Sequence, residues 1–170
     1  MVLGVDPGTT HTGYGVLVAE RGPLTALEWG VISPRPSLSL PDKLHTIHMA
    51  LHACIAAHHP DTMAVEALFF AKNVRSAVTL AHARGVALLT AASAGLVVAE
   101  YSPLEVKQAV VGYGRADKGK VQAMVRVLLN LREPPPEEDA ADALAVALCH
   151  VHGQRVRTSL ANLLTTHTRR

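Results

Sequence analysis

The chain is short of everything that would take it out of the ordinary globular class. It has only two cysteines, Cys54 and Cys149. They lie far apart and form no metal or redox motif, so reduced thiols and a cytoplasmic setting are expected. Long apolar runs are absent too. The longest uncharged apolar stretch, Val86 to Ala99, has 14 residues and contains Gly95, short of the roughly 20 that cross a bilayer. No basic-then-apolar leader opens the chain, because Met1-Val-Leu-Gly-Val runs directly into Asp6. No internal repeat is visible. Charged residues make up 18% and hydrophobic ones 49%, which excludes a disordered polymer. A length of 170 residues fits one domain with a proper core.

What charge there is falls unevenly. Residues 1–69 carry a net −3, residues 70–132 a net +6 and residues 133–170 a net −1. An acidic segment beside a basic block suits an enzyme acting on phosphodiesters, in which carboxylates hold metal and cations hold the phosphate backbone. Charge alone describes an ordinary solvated surface equally well.

Periodicity sets out the elements. Val2 to Asp6 reads as a strand, followed by a Pro-Gly-Thr-Thr turn and strands from Gly13 to Val18 and Leu24 to Ile32, which form an antiparallel meander. Leu40 to His59 reads as a helix, with Leu44, Ile47, Leu51 and Ile55 on one stripe and Pro60 stopping it. Thr62 to Glu66 and Leu96 to Tyr101 are strands; 73–93, 117–131 and the stretch from Asp139 onward are helices. Pro134-Pro-Pro136 is a rigid linker. The predicted class is α/β, a mixed sheet with an antiparallel N-terminal meander flanked by helices. Residues 154–170 read as a loose basic tail.

Three groups of carboxylates stand at telling positions. Asp6 ends the first apolar strand and Glu66 ends a later one. Asp139 and Asp142 are spaced i, i+3 at the start of an apolar helix and so share a face. Carboxylates at the C-terminal ends of strands point to the edge where α/β proteins bind ligands. Convergence of all three groups would make an oxygen site for Mg²⁺ or Mn²⁺. Each member has a plain reading as well. Asp-Pro-Gly is a tight turn, and Asp139 is placed to cap a helix. Glu66 is harder to explain away, since a charge buried at a strand end costs several kcal/mol unless it is compensated.

Around these acids lie residues suited to nucleic acid. Phe69 and Phe70, the only phenylalanines, sit with Lys72 and Arg75 just after Glu66. Aromatics among cations suit stacking on an unpaired base, although a core role is open to both. Lys107 follows Pro103, while Arg115, Lys118 and Lys120 cluster at a Gly-rich turn and helix start, a natural phosphate site. His45, His48 and His52 share a helix face, but no carboxylate or thiolate of matching spacing joins them, so a polar face is expected rather than a metal site.

The blocks VLGVDPGTTHTGYGV, VEALFFAKNVRSAVTLAHARGVAL, EVKQAVVGYGRADKGKVQAMVRVLL and EDAADALAVALCH resemble the RuvC family of crossover-junction endonucleases, which are Holliday-junction resolvases with a ribonuclease-H-like fold. The resemblance spans residues 1 to about 153, so a nuclease domain 1–153 and a flexible tail 154–170 are expected. It implies that Asp6, Glu66, Asp139 and Asp142 hold two Mg²⁺ ions, with Mn²⁺ substituting, roughly 3.5–4 Å apart about the scissile phosphate. Asp6 would bridge them, and some members carry His in place of Asp139. It further implies paired symmetric nicks of a four-way junction in recombination and DNA repair, made by a homodimer, which would leave 5′-phosphate and 3′-hydroxyl ends. Phe69 matches the family's base-stacking aromatic, and Lys107 and Lys118 match its DNA contacts near the cut. Arg84 lies in a matching block, while Arg75, Arg115 and Lys120 rest on charge. The expected partners are junction DNA and the junction-binding and branch-migration motor proteins, RuvA and RuvB.

Two other classes fit parts of the pattern. Asp-x-Gly-Thr-Thr followed by Gly13 is similar to the first phosphate loop of actin-like ATPases and sugar kinases, which need a second domain that this length leaves little room for. A passive junction-binding protein would keep the basic face but lose acidic ligands, whereas all four are present here.

Overall fold

The computed structural model describes residues 1–19, 22–67 and 74–167, leaving aside the side chains of 74–76 and 158–167. Five strands form one sheet: β1 (Val2–Asp6), β2 (Thr12–Val18), β3 (Thr25–Ile32), β4 (Thr62–Glu66) and β5 (Val97–Tyr101), in the order β3-β2-β1-β4-β5. The first three make the expected antiparallel meander, and β4 and β5 then add parallel to β1. The parallel pairings require crossovers. These are α1 (Leu40–His58) before β4 and α2 (Val74–Ser93) before β5.

Local chemistry fixes the helix ends. Ser39 caps α1 by accepting a hydrogen bond from the Asp42 amide, and Pro41 lies in the first turn. His59 closes the helix in the left-handed conformation, its amide donating to the Ile55 carbonyl. α3 (Pro103–Val111) was not expected from hydrophobic periodicity. Its signal is a capping box: Ser102 Oγ accepts from the Glu105 amide while Glu105 accepts from the Ser102 amide, with Pro103 at the start. α4 (Lys118–Leu128) follows, capped by Asp117.

α5 (Glu138–His167) is the central helix. Ala140, Ala141 and every residue from Ala143 to Val151 are buried, so its first half is covered on all sides. The sheet lies under it and α3 and α4 lie over it, with Val2, Leu17 and Ala64 below and Val106, Val110, Val121 and Val125 above. On the other sheet face Leu3, Val5, Val16, Met63 and Val65 meet Ile47, Leu51 and Ile55 of α1 and Ala83, Ala87 and Ala91 of α2. The helix runs past Gly153 to His167.

Glycine sets how closely α5 approaches the sheet. A methyl group on Gly13 would overlap the Asp139 carbonyl, and one on Gly4 would overlap that of Ala143. Leu144 occupies the same space over Gly15. The first two turns of α5 therefore rest on bare backbone of β1 and β2. Gly13→Ala should lower stability by about 1–3 kcal/mol or more, because the clash is with backbone that has little freedom to shift. Denaturant unfolding would measure this, and an unchanged midpoint would show that α5 does not depend on that contact.

Candidate active site

The sheet register brings two carboxylates together. Val5 pairs with Val65 across parallel β1 and β4, so Asp6 and Glu66 leave neighbouring strands side by side. Both have the parity of Gly4 and Ala64, which face α5. Across the antiparallel ladder Asp6 pairs with Gly13, and the Asp139 backbone lies over that glycine. Asp139 and Asp142, in the opening turns of α5, are thereby set against the two strand ends. Thr12 steadies the turn after β1, its hydroxyl donating to the Gly8 carbonyl at 2.6 Å. At the neighbouring strand Tyr101 pairs with Glu66, and its hydroxyl lies 2.8 Å from Nδ1 of buried His150 on α5.

Asp6, Glu66 and Asp142 line a pocket of about 250 Å³ with Lys107, Lys118, Pro103, Val106 and Val121. The carboxylates repel one another at close range. Burial, then the charges of Glu66, Asp142 and Asp139, push Asp6 up to about 8, and it shares a hydrogen bond with Glu66. Glu66 is raised by burial and by Asp142, against the pull of its hydrogen bond to Asp6 and of Lys118 and Lys107. Burial raises Asp142 as well, with Lys118 opposing. Lys118 Nζ stands 3.4 Å from Asp142 Oδ2 and 3.3 Å from Glu138 Oε2. Although desolvation disfavours its charge, Asp142 and Glu138 hold Lys118 above its ordinary pKa.

Among the described residues, no three His, Cys, Asp or Glu side chains enclose a single point as they stand. Asp142 is turned to Lys118, and Asp6 is engaged with Glu66. The donor set nevertheless suits a hard divalent cation. It is all oxygen, it comes from rigid elements, and its like charges are crowded to the point of holding a proton.

Of the residues expected at the site, the structure brings Asp6, Glu66, Asp142, Lys107 and Lys118 to one pocket, while Asp139 is not among its lining residues and acts on Asp6 through its charge. Sequence reasoning missed the apolar wall of Pro103, Val106 and Val121, and Glu138 as a partner of Lys118. The capping-box signal at Ser102 was the available clue to that wall. Phe69, Phe70 and Lys72 lie outside the described residues, as does the side chain of Arg75. Arg84 is not brought to the pocket; it is ion-paired with Glu100 of β5, and its buried Nε has no hydrogen-bond partner among the described residues. Arg115 is exposed on the loop before α4, and Lys120 pairs with Asp117 at 3.2 Å. His48 Nδ1 meets Thr90 Oγ1 at 2.8 Å and thus clasps α1 to α2, with the His52 ring 6.0 Å away.

The family model for crossover junction endodeoxyribonuclease RuvC matches residues 2–150. The chain belongs to the RuvC family. A RuvC of Syntrophotalea carbinolica is 54% identical over 151 residues, 89% of this chain and 93% of the relative. That of Syntrophomonas wolfei is 48% identical over 164 residues, 96% of this chain and 95% of its own. The structure of Thermus thermophilus RuvC in complex with Holliday junction substrate superimposes with a TM-score of 0.87 at 36% identity, covering 92% of this chain and 96% of that one. The five-stranded mixed sheet is the RuvC, ribonuclease-H-like fold, and the expectation of that class is borne out. As a RuvC-family endodeoxyribonuclease, the chain hydrolyses phosphodiester bonds of DNA.

The raised Asp6 has a consequence for the metal-free protein. The folded chain holds this proton at pH values where the unfolded chain, with an aspartate near its ordinary value of about 4, has released it. Stability should therefore fall as pH rises from about 4 to about 8 and stay low above that. In chelator, Asp6→Asn should be more stable than the wild type at pH 8 by the order of 1 kcal/mol or more, and so unfold at a higher temperature, with the difference closing toward pH 4. Superimposable pH profiles of thermal midpoint would rule out the crowding.

Proposed function

We propose that this RuvC-family enzyme resolves four-way DNA junctions by paired symmetric nicks, each made at the Asp6, Glu66, Asp139 and Asp142 cluster. The observation that carries this reading is the register of β1 with β4, which sets Asp6 beside Glu66 under α5, facing Lys107 and Lys118 across one pocket. Acids and cations line the same pocket, which is the arrangement a phosphodiester needs in order to approach carboxylates at all.

The four acids are the residues that would hold two Mg²⁺ ions, or Mn²⁺ in their place. When bound, the metal supplies a hydroxide nucleophile at neutral pH and stabilises charge on the departing 3′ oxygen. The chain's own contributions are distinct. Lys107 and Lys118 hold the non-bridging phosphate oxygens, and to do so Lys118 exchanges its carboxylate partners for the substrate. Pro103, Val106 and Val121 form a dry wall that strengthens these charges. Asp6 must lose its proton before it can act as a ligand, so activity should rise with pH until that step is complete. The products are 5′-phosphate and 3′-hydroxyl ends, with Phe69 stacked on a base near the crossover.

A homodimer matches the near two-fold symmetry of the junction. Val78 and Leu89, both exposed and eleven residues apart on one face of α2, provide an uncharged surface for such a contact. Junction-binding and branch-migration motor proteins of the RuvA and RuvB kind complete the expected partners. Among the described residues no helix is long and apolar enough to cross a membrane.

The test is incubation with a synthetic four-way junction and with linear duplex, with and without Mg²⁺ or Mn²⁺. Symmetric nicking of the junction alone, only with metal, is the expected result. Asp6→Asn should reduce cutting roughly 10³-fold or more while junction affinity without metal stays within a factor of about three, because Asp6 already carries a proton there up to about pH 8. Undiminished cutting by that variant would remove Asp6 from the chemistry.

A further inference from the structure

One exposed aromatic on the basic side of the molecule is unaccounted for by the pocket. Tyr113 lies in the loop between α3 and α4 with 46% of its surface exposed. The loop is held at both ends. The Gly112 amide donates to Gln108 O to close α3, Gly114 lies tightly against the Leu104 side chain, and Ala116 is buried in the core. A large exposed side chain on a pinned loop loses little entropy when it binds, which favours contact residues of this kind.

Its neighbour is positioned as well. Asp117 caps α4 with one carboxylate oxygen, accepting from the Lys120 amide at 2.9 Å, and ion-pairs with the Lys120 ammonium through the other at 3.2 Å. The same ammonium faces the Tyr113 hydroxyl. A lysine has three N–H donors. With one toward Asp117 and one toward Tyr113, the third is left for a ligand among the described residues, and so is the phenolic hydrogen of Tyr113. Two hydrogen-bond donors thus stand together, one charged and one polarised by it, which is a phosphate-binding pair. Asp117 is an opposing charge beside Lys120, and exposed Arg115 lies two residues before it.

The place of this pair in the fold suggests its use. Lys118 and Lys120 are two residues apart on α4 and so point to nearly opposite sides of the helix. Lys118 enters the carboxylate pocket, which leaves the Tyr113–Lys120 pair about one helix diameter away, roughly 10–12 Å. Successive phosphates of a strand lie farther apart than their axial rise of about 3.4 Å, so the pair falls within a few nucleotides of the cut. We propose that Tyr113 and Lys120 form a clamp for one backbone phosphate of a junction arm, within a few nucleotides of the cut, with the Tyr113 hydroxyl and the Lys120 ammonium donating to the same phosphate. The clamp rests on the reading that the chain binds junction DNA, and it adds a second anchor that aligns the strand with the carboxylates.

Equilibrium binding of the full chain to a four-way junction in EDTA, over a range of salt concentrations, tests it without cleavage. Tyr113→Phe keeps the ring and removes only the hydroxyl; it should weaken binding about 5-fold with little change in salt slope. Lys120→Ala should weaken binding by a similar or larger factor and reduce the slope of log K against log salt by about 0.9. Because both donors serve one phosphate, the double variant should bind within about 2-fold of Lys120→Ala. A neutral methylphosphonate at the clamped position should make Tyr113→Phe silent. Wild-type affinity for Tyr113→Phe, losses that multiply independently, or no methylphosphonate position that silences the variant would each overturn the clamp. If the wild type itself does not bind the junction, the proposed function fails and takes the clamp with it.

Discussion

The seating of α5 on bare backbone governs the rest of the molecule. Gly4, Gly13 and Gly15 leave no side chains where the first turns of the helix cross β1 and β2, and Ala143, Ala147 and Leu144 fill the space directly. Since Gly13 is the ladder partner of Asp6, the contact that lowers the helix onto the sheet also fixes where Asp139 and Asp142 stand relative to Asp6. The precision of the site thus comes from main-chain packing between two rigid elements rather than from rotamers of long side chains, and such a site is hard to loosen by surface change.

That seating has an electrostatic cost. Pressing four carboxylates together under a buried helix leaves Asp6 protonated well above its usual range and Glu66 and Asp142 raised as well. Folding must supply the difference, and the apolar burial of α5 on both sides contributes to it. Lys118 offsets part of it through Asp142 and Glu138. A divalent cation would offset far more. A ligand that binds only the folded cluster stabilises the fold by its binding free energy, and here it also relieves the crowding.

How much of this was legible depended on the range of each interaction. A carboxylate ending an apolar run can be read locally, and so can two acids spaced i, i+3 before an alanine-rich helix; the four acids were therefore visible before the fold was known. Helix α3 was also locally encoded, in Ser102, Pro103 and Glu105, but its apolar spacing is short and periodicity passed over it. Other features depend on contacts that sequence does not pair. Gly13 against Asp139 joins residues more than a hundred positions apart, and Arg84 finds Glu100 only once α2 lies against β5. His48 had the spacing of a metal ligand and serves instead as a clasp to Thr90, as the lack of a third ligand had suggested. The apolar wall of the pocket was illegible because Val106 and Val121 look like any core residues of their helices.

The separation of acidic and basic segments along the chain acquires a meaning from the layers. Asp6 and Glu66 belong to the sheet, and Asp139 and Asp142 to the helix locked onto it. Lys107, Lys118 and Lys120 belong to α3 and α4, which pack over α5 rather than on the sheet. The two kinds of charge therefore sit on different bodies with the pocket between them. A phosphate entering there is gripped by the outer helices and presented to the inner carboxylates. Small adjustments of the outer pair can then fit a bent strand without disturbing the ligand geometry set by glycine. Had the cations been placed on the sheet beside Asp6, they would have neutralised the cluster and blocked both metal and substrate. Lys118 reaches across to Asp142 and Glu138, acids at the start of α5, the element between the two walls.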